Sequence, residues 1–185
     1  VDDFYSSFEF PEGSSLTLNA IQNKSEWTNA THFLNFAGSA DALAQLRDLR
    51  SGDEYDMYVN NLQGLAKIVA MKQGQSLVRI PGENGTYSEQ MWSFFVENPG
   101  VFAEAFVELN KGFSNGNYIS LGMYTGGERN ETHYIYTTHS DAKNQFTFFP
   151  DNEKEQKAFS KFQSSVSPIS QFKGSIISTV LGTWN

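Results

Sequence analysis

The sequence has no cysteine. That absence excludes disulfides, cysteine-ligated zinc, iron–sulfur clusters and thiol nucleophiles together, though it names no compartment. Histidine is scarce, at three residues, and there are five prolines. No apolar run approaches the roughly 18 residues that a membrane-crossing helix requires. No G-x-S-x-G elbow is present to carry a serine nucleophile, and no carboxylate pair stands in a context that marks acid–base hydrolysis. Positive charge is in short supply. Thirteen Lys and Arg against 21 Asp and Glu leave a formal net charge of −8. Such a surface repels phosphate backbones and anionic lipid alike, which disfavours nucleic acid and membrane-surface partners.

Aromatic residues are plentiful. Sixteen Phe and eight Tyr in 185 residues give an ordered, globular composition, long enough to bury a core without covalent staples. Four N-x-[ST] sequons occur, at Asn23, Asn29, Asn84 and Asn130, in a chain that begins at Val1 instead of Met. The start residue favours an exported, mature chain, although a trimmed chain would look the same. In a sequence rich in Asn, Ser and Thr, sequons also arise by chance.

Phe4–Phe10, FYSSFEF, predicts a short strand stopped by Pro11, Glu12 and Gly13. Ser15–Gln22 and Thr31–Ala37 predict a hairpin. Ser39 or Asp41 then caps a helix carrying Leu43, Leu46 and Leu49. A second helix is expected over Glu54–Ile68, with Tyr55, Tyr58, Leu62, Leu65 and Ile68 on one stripe. Val69–Ile80 reads as a strand with Gly74 as a bulge. The polar stretch Glu83–Glu89, ENGTYSE, reads as a linker. The next strand spans Met91–Glu97, and Asn98 caps a helix entered through Pro99 and running to Lys111. Tyr118–Thr125 and Thr132–Thr138 form a hairpin, and Ser140 or Asp141 is the cap of a helical turn after it. A helix covers Asn152–Val166, and Gly174–Leu181 is the last strand.

The second half therefore reads β-α-β-β-α-β, the split βαβ arrangement of ferredoxin-like domains. The first half reads as a reduced copy with its first crossover helix missing, which predicts two halves, 1–82 and 83–185. N-A-T-H-F at Asn29–Phe33 echoes N-E-T-H-Y at Asn130–Tyr134, and Ser39 echoes Ser140. Convergence of two similar supersecondary patterns is the alternative to duplication.

The strand–helix junction W-S-F-F-V-E-N-P-G-V-F (Trp92–Phe102), the hairpin M-Y-T-G-G-E-R-N-E-T-H-Y (Met123–Tyr134) and V-S-P-I from Val166 resemble the dimeric α/β-barrel superfamily. That superfamily includes antibiotic-biosynthesis-type monooxygenases and NIPSNAP-like proteins. The resemblance implies an α+β fold of tandem ferredoxin-like units forming an α/β barrel, with antiparallel sheets face to face and helices outside. It also implies a homodimer, or a barrel closed within one chain. The superfamily hosts oxygenases, haem enzymes, isomerases and modules with no activity, so the fold alone selects none of these.

Strands apolar on both faces are covered on both sides, and the space between sheets would suit a flat apolar or aromatic small molecule. Trp92, Tyr124 and Tyr136 are the candidate lining. His133 shares a strand face with Ile135 and Thr137. On the lining side it would serve as acid, base or donor; otherwise it is a structural histidine bonded to Asn130 or Thr132. His32 holds the matching place in the first hairpin, and His139 stands where a strand gives way to a helix. Arg129, in the turn Gly126–Asn130, would hold a carboxylate or remain a solvated charge. No metal-ligand spacing occurs, no helix carries a histidine placed as an axial haem ligand, and the glycine turn opens no helix to cradle phosphate. No cofactor is implied. A binding or interaction module is the leading expectation. The alternatives are a cofactor-independent monooxygenase acting on an aromatic substrate, and a structural oligomerisation domain.

Overall fold

The computed structural model describes residues 1–23, 28–82, 85–113, 116–128 and 130–185. The chain forms two compact units, one of Val1–Ile21, Ala30–Val69 and Val180–Asn185, the other of Gln22–Asn29 and Ala70–Thr179.

In the first unit, the residues expected to open a strand form a helix, α1 (Asp2–Tyr5). The Tyr5 N–H donates to the Val1 carbonyl at 3.1 Å. The turn gathers Phe4, Tyr5 and Phe8 into one aromatic cluster, with Phe4 stacked on Tyr58 at 4.4 Å. Aromatic spacing alone cannot separate such a turn from a short strand. The expected hairpin is present: β1 (Ser15–Ile21) pairs antiparallel with β2 (His32–Ala37), Leu18 facing Leu34. Helix α2 (Ala40–Leu49) starts where Ser39 Oγ accepts the Ala42 N–H at 3.1 Å. Helix α3 (Asp53–Leu62) ends six residues before the expected Ile68. Gly64 adopts φ +86°, a conformation that stops a helix. Leu65 and Ile68, expected on its buried stripe, are 83% and 78% exposed.

The second unit contains β3 (Gln73–Ile80), β4 (Ser88–Val96), α4 (Pro99–Gly112), β5 (Ile119–Gly126), β6 (His133–His139), α5 (Ala142–Phe146), α6 (Glu153–Val166) and β7 (Ser170–Trp184). The last residues of β7 belong to the first unit. The strand order is β7-β4-β6-β5-β3, with every pairing antiparallel. Strands β4, β5, β6 and β7 with α4 and α6 give the expected β-α-β-β-α-β succession. Strand β3 pairs with β5, with a register shift at Gln73/Gly74 where the bulge was expected. The first unit has the order β2-β1-β7, so β1, β2 and β3 do not form a ferredoxin-like sheet of their own. Asn98 caps α4 as its sequence predicts, accepting the Val101 N–H at 3.2 Å. Among the described residues, no helix is long and apolar enough to cross a membrane.

Helices α4 and α6 carry Phe102, Phe106, Phe162 and Val166 into one core with Leu121 and Ile135 of the sheet. Phe102 and Phe106, one turn apart, are both fully buried. Burying a side chain of this size contributes about 1.5–3 kcal/mol. Gly112 lets the two helices approach, since a Cβ there would lie 2.6 Å from the Ala158 Cβ.

Candidate functional site

Strand alternation sorts the sheet of the second unit into two faces. His133, Ile135, Thr137 and His139 of β6 stand opposite Phe94, Trp92, Gln90 and Ser88 of β4. This is the face that the helices cover, because Ile135 belongs to the core around Phe102 and Phe106. Tyr134, Tyr136 and Thr138 stand opposite Ser93, Met91 and Glu89 on the other face.

Three of the residues singled out in the sequence lie on the helix-covered face. His133 is buried, with its ring 6.3 Å from that of Phe102. Its Nδ1 bonds to the Thr132 hydroxyl at 2.9 Å, so of the two structural partners anticipated, Thr132 is the one used. Burial pushes its pKa down, which keeps the imidazole neutral. His139 is fully buried, with Nδ1 3.3 Å from Asn144 Oδ1 and its ring edge-on to Phe148 at 5.1 Å. Burial lowers its pKa as well, and the Asn144 contact offsets part of the effect. Trp92 stacks on Phe148 at 6.0 Å. His32, in the first unit, is exposed and bonds Nδ1 to the Thr31 hydroxyl at 3.0 Å, the same local arrangement as His133 with Thr132. Arg129 lies outside the described residues.

Tyr124 and Tyr136 belong to the other face, where the structure adds Tyr118 and Tyr134. The rings pair as Tyr124 with Tyr134 at 5.0 Å and Tyr118 with Tyr136 at 6.0 Å. Each of three hydroxyls has a local partner. Tyr124 bonds to Ser93 Oγ at 3.0 Å, Tyr134 to Ser76, and Tyr136 to Glu89. Burial is the main force raising the pKa of all three phenols, so they remain protonated across the neutral range. Lys72 sits 5.3 Å from the Tyr124 ring centroid and pairs with Glu131 at 2.6 Å. Glycines leave room for the rings. The Tyr134 ring lies across Gly122 and reaches Gly74, where a Cβ would come within 3.0 Å of it.

Glu89 escapes a reading of the sequence. It closes the polar stretch expected to be a linker, yet β4 begins at Ser88 and takes Glu89 into the sheet. There it is 4% exposed, between Thr138 on β6 and Ser178 on β7. Burial pushes its carboxyl above the usual carboxylate range, and the bond from Tyr136 offsets part of that rise. The one sequence signal for it is an S-E-Q-M-W run continuous with the aromatic strand. Two open grooves on the surface lie elsewhere, along α4 and α6 beside Glu104, Glu108 and Lys161, and are lined by neither histidine nor tyrosine. Among the described residues, no group of three or more His, Asp or Glu side chains is placed to hold a metal ion.

No family model and no curated protein matches the sequence. Solved structures do match in fold. An anthrone oxidase-like protein, 13% identical, aligns with TM-score 0.53 over 98% of this chain and 82% of its own. A "putative monooxygenase" from Fusobacterium nucleatum, 10% identical, aligns with TM-score 0.57 over 100% of this chain and 84% of its own. Another so described, from Lactobacillus acidophilus, is 9% identical, with TM-score 0.57 over 100% and 85%. At 9–13% identity these likenesses are of fold, an α+β fold that the sequence resemblance also implied.

Proposed function

We propose that the chain binds a flat aromatic small molecule against the tyrosine face of β4, β5 and β6. The observation that carries this reading is the placing of Tyr118, Tyr124, Tyr134 and Tyr136 on one face, opposite the helix-covered core. All four are only partly buried, so ring surface is left for a ligand to stack on. The hydroxyl bonds to Ser93, Ser76 and Glu89 hold three of the rings in place before a ligand arrives, which lowers the entropic cost of binding. One structural neighbour, described as anthrone oxidase-like, supports a flat substrate. Titration of 2-naphthol, followed by intrinsic fluorescence, tests the reading. Tyr124→Ala and Tyr134→Ala should each weaken binding by about tenfold, and unchanged affinity in both would refute it.

Oxygenation of the bound molecule is the second reading. Two neighbours described as monooxygenases favour it. So does Glu89, a buried carboxyl on the same face whose free oxygen can exchange a proton with a ligand. Its test is dioxygen uptake by the purified chain supplied with anthrone.

A further inference from the structure

Among the described residues, two buried oxygens on the tyrosine face lack a bonding partner. Glu89 and Thr138 face each other across β4 and β6, and both are buried. Neither Glu89 Oε2 nor Thr138 Oγ1 has a hydrogen-bond partner among the described residues. Directly opposed residues hold their Cβ atoms about 4.5–5.5 Å apart, so the two side chains rise side by side from this face, close enough for one ligand atom to reach both. Buried polar atoms in native proteins are nearly always bonded, and an exception calls for a missing partner. Here two exceptions share a place, next to the rings proposed to hold a ligand.

The chemistry of the pair indicates what that partner is. Tyr136 is the titratable group that bonds to the Glu89 carboxyl, while Thr138 and Ser178, its cross-strand neighbours, carry no charge. Burial favours the neutral carboxyl. A neutral carboxyl has one O–H to donate, and the threonine hydroxyl has another. Two donors side by side suit an acceptor oxygen.

We propose that Glu89 Oε2 and Thr138 Oγ1 form a two-point anchor for a keto or phenolic oxygen borne by the flat ligand. The proposal rests on the tyrosine-face reading and adds the polar end of the ligand to it. The anchor fixes the orientation of the molecule, because only its oxygen-bearing edge can turn towards β4 and β6. It also selects oxygenated rings over bare hydrocarbons, since a hydrocarbon leaves both buried groups unbonded.

The test compares 2-naphthol with 2-methylnaphthalene, which has the same shape and no oxygen. Hydrophobic burial alone favours the methyl compound. The wild-type chain should bind 2-naphthol at least about tenfold more tightly. Thr138→Val, which keeps the shape, should bring the ratio to one or below, and Glu89→Leu should do the same. Glu89→Gln, whose amide still donates, should keep the preference. Near-ultraviolet circular dichroism establishes that each variant is folded, and Thr138→Val decides the matter alone if Glu89→Leu does not fold. A ratio that Thr138→Val leaves unchanged overturns the anchor and leaves the tyrosine-face reading intact. So does tighter binding of N,N,N-trimethylanilinium than of 2-naphthol, which would mark Glu89 as a charged cation site. Failure of the wild-type chain to bind either naphthalene overturns both.

Discussion

Tyr134 occupies the space that a side chain at Gly122 would need. The two residues are directly paired across β6 and β5, and a Cβ on Gly122 would lie 2.6 Å from Tyr134 Cε1 and closer still to Cζ. An aromatic ring laid over a cross-strand glycine shields backbone that the glycine leaves bare. The same ring covers Gly74 on β3, so one tyrosine spans three strands of the candidate ligand face.

That contact gives the first expected outcome. Gly122→Ala forces the ring aside and should cost about 1–3 kcal/mol, read as a lower urea midpoint at unchanged m-value. In Gly122→Ala/Tyr134→Ala the clash is gone, so the double variant should be more stable than the sum of the singles allows. Strict additivity would show that ring and glycine do not meet.

The core under the helices gives the second. Phe102 is fully buried and meets Phe94, Phe162 and His133 within 5.3–6.3 Å. Phe102→Ala should cost about 3–5 kcal/mol, measured by denaturant unfolding. A loss below about 1 kcal/mol would mean that the α4 face is not the one packed on the sheet.

The third concerns acid. Burial lowers the pKa of His139 below the 6.5 of a free imidazole, so the unfolded chain takes up a proton that the folded one resists. The resulting stability is complete above pH 6.5 and is lost as the pH falls from there through the folded value. His139→Gln should flatten this dependence between pH 7.5 and pH 5. An unchanged slope would show that His139 charges freely in the fold.

Glu89 has the opposite sign. Its folded carboxyl holds a proton above 4.5, where the unfolded chain releases it. The fold is favoured most below pH 4.5 and loses that contribution as the pH rises through the raised value. Glu89→Gln should therefore gain stability relative to the wild type as the pH is raised, then level off. A constant difference from pH 4 to pH 8 would contradict the raised carboxyl.

Much of the second unit could be read from its residues. Asn98-Pro99 announces α4, Gly74 announces the bulge of β3, and the alternation of Trp92 and Phe94 assigns them one face, as found. Aromatic abundance pointed to Tyr124 and Tyr136, which do share a face. What the residues could not show was which face the helices take. A strand apolar on both sides looks alike from either, and His133 with Trp92 lies under α4 and α6 instead of beside the tyrosines. Two departures of the structure from the sequence pattern have local causes. FYSSFEF mimics a strand because aromatics three and four apart also suit a helical turn, and α3 stops early because Gly64 ends it. Glu89 was hidden by its polar neighbours, since pattern reading assigns such runs to linkers, and only strand pairing brings it into the sheet.

The tyrosine face is the proposed ligand surface, and ring-labelled tyrosine NMR tests that most directly. On titration with 2-naphthol, the ring signals of Tyr118, Tyr124, Tyr134 and Tyr136, assigned through single Tyr→Phe variants, should shift together and saturate with one dissociation constant. Tyr5, Tyr55 and Tyr58, in the aromatic cluster of the first unit, should stay where they are. Movement of Tyr5, Tyr55 and Tyr58 while the four stand still, or no movement at all, would contradict it.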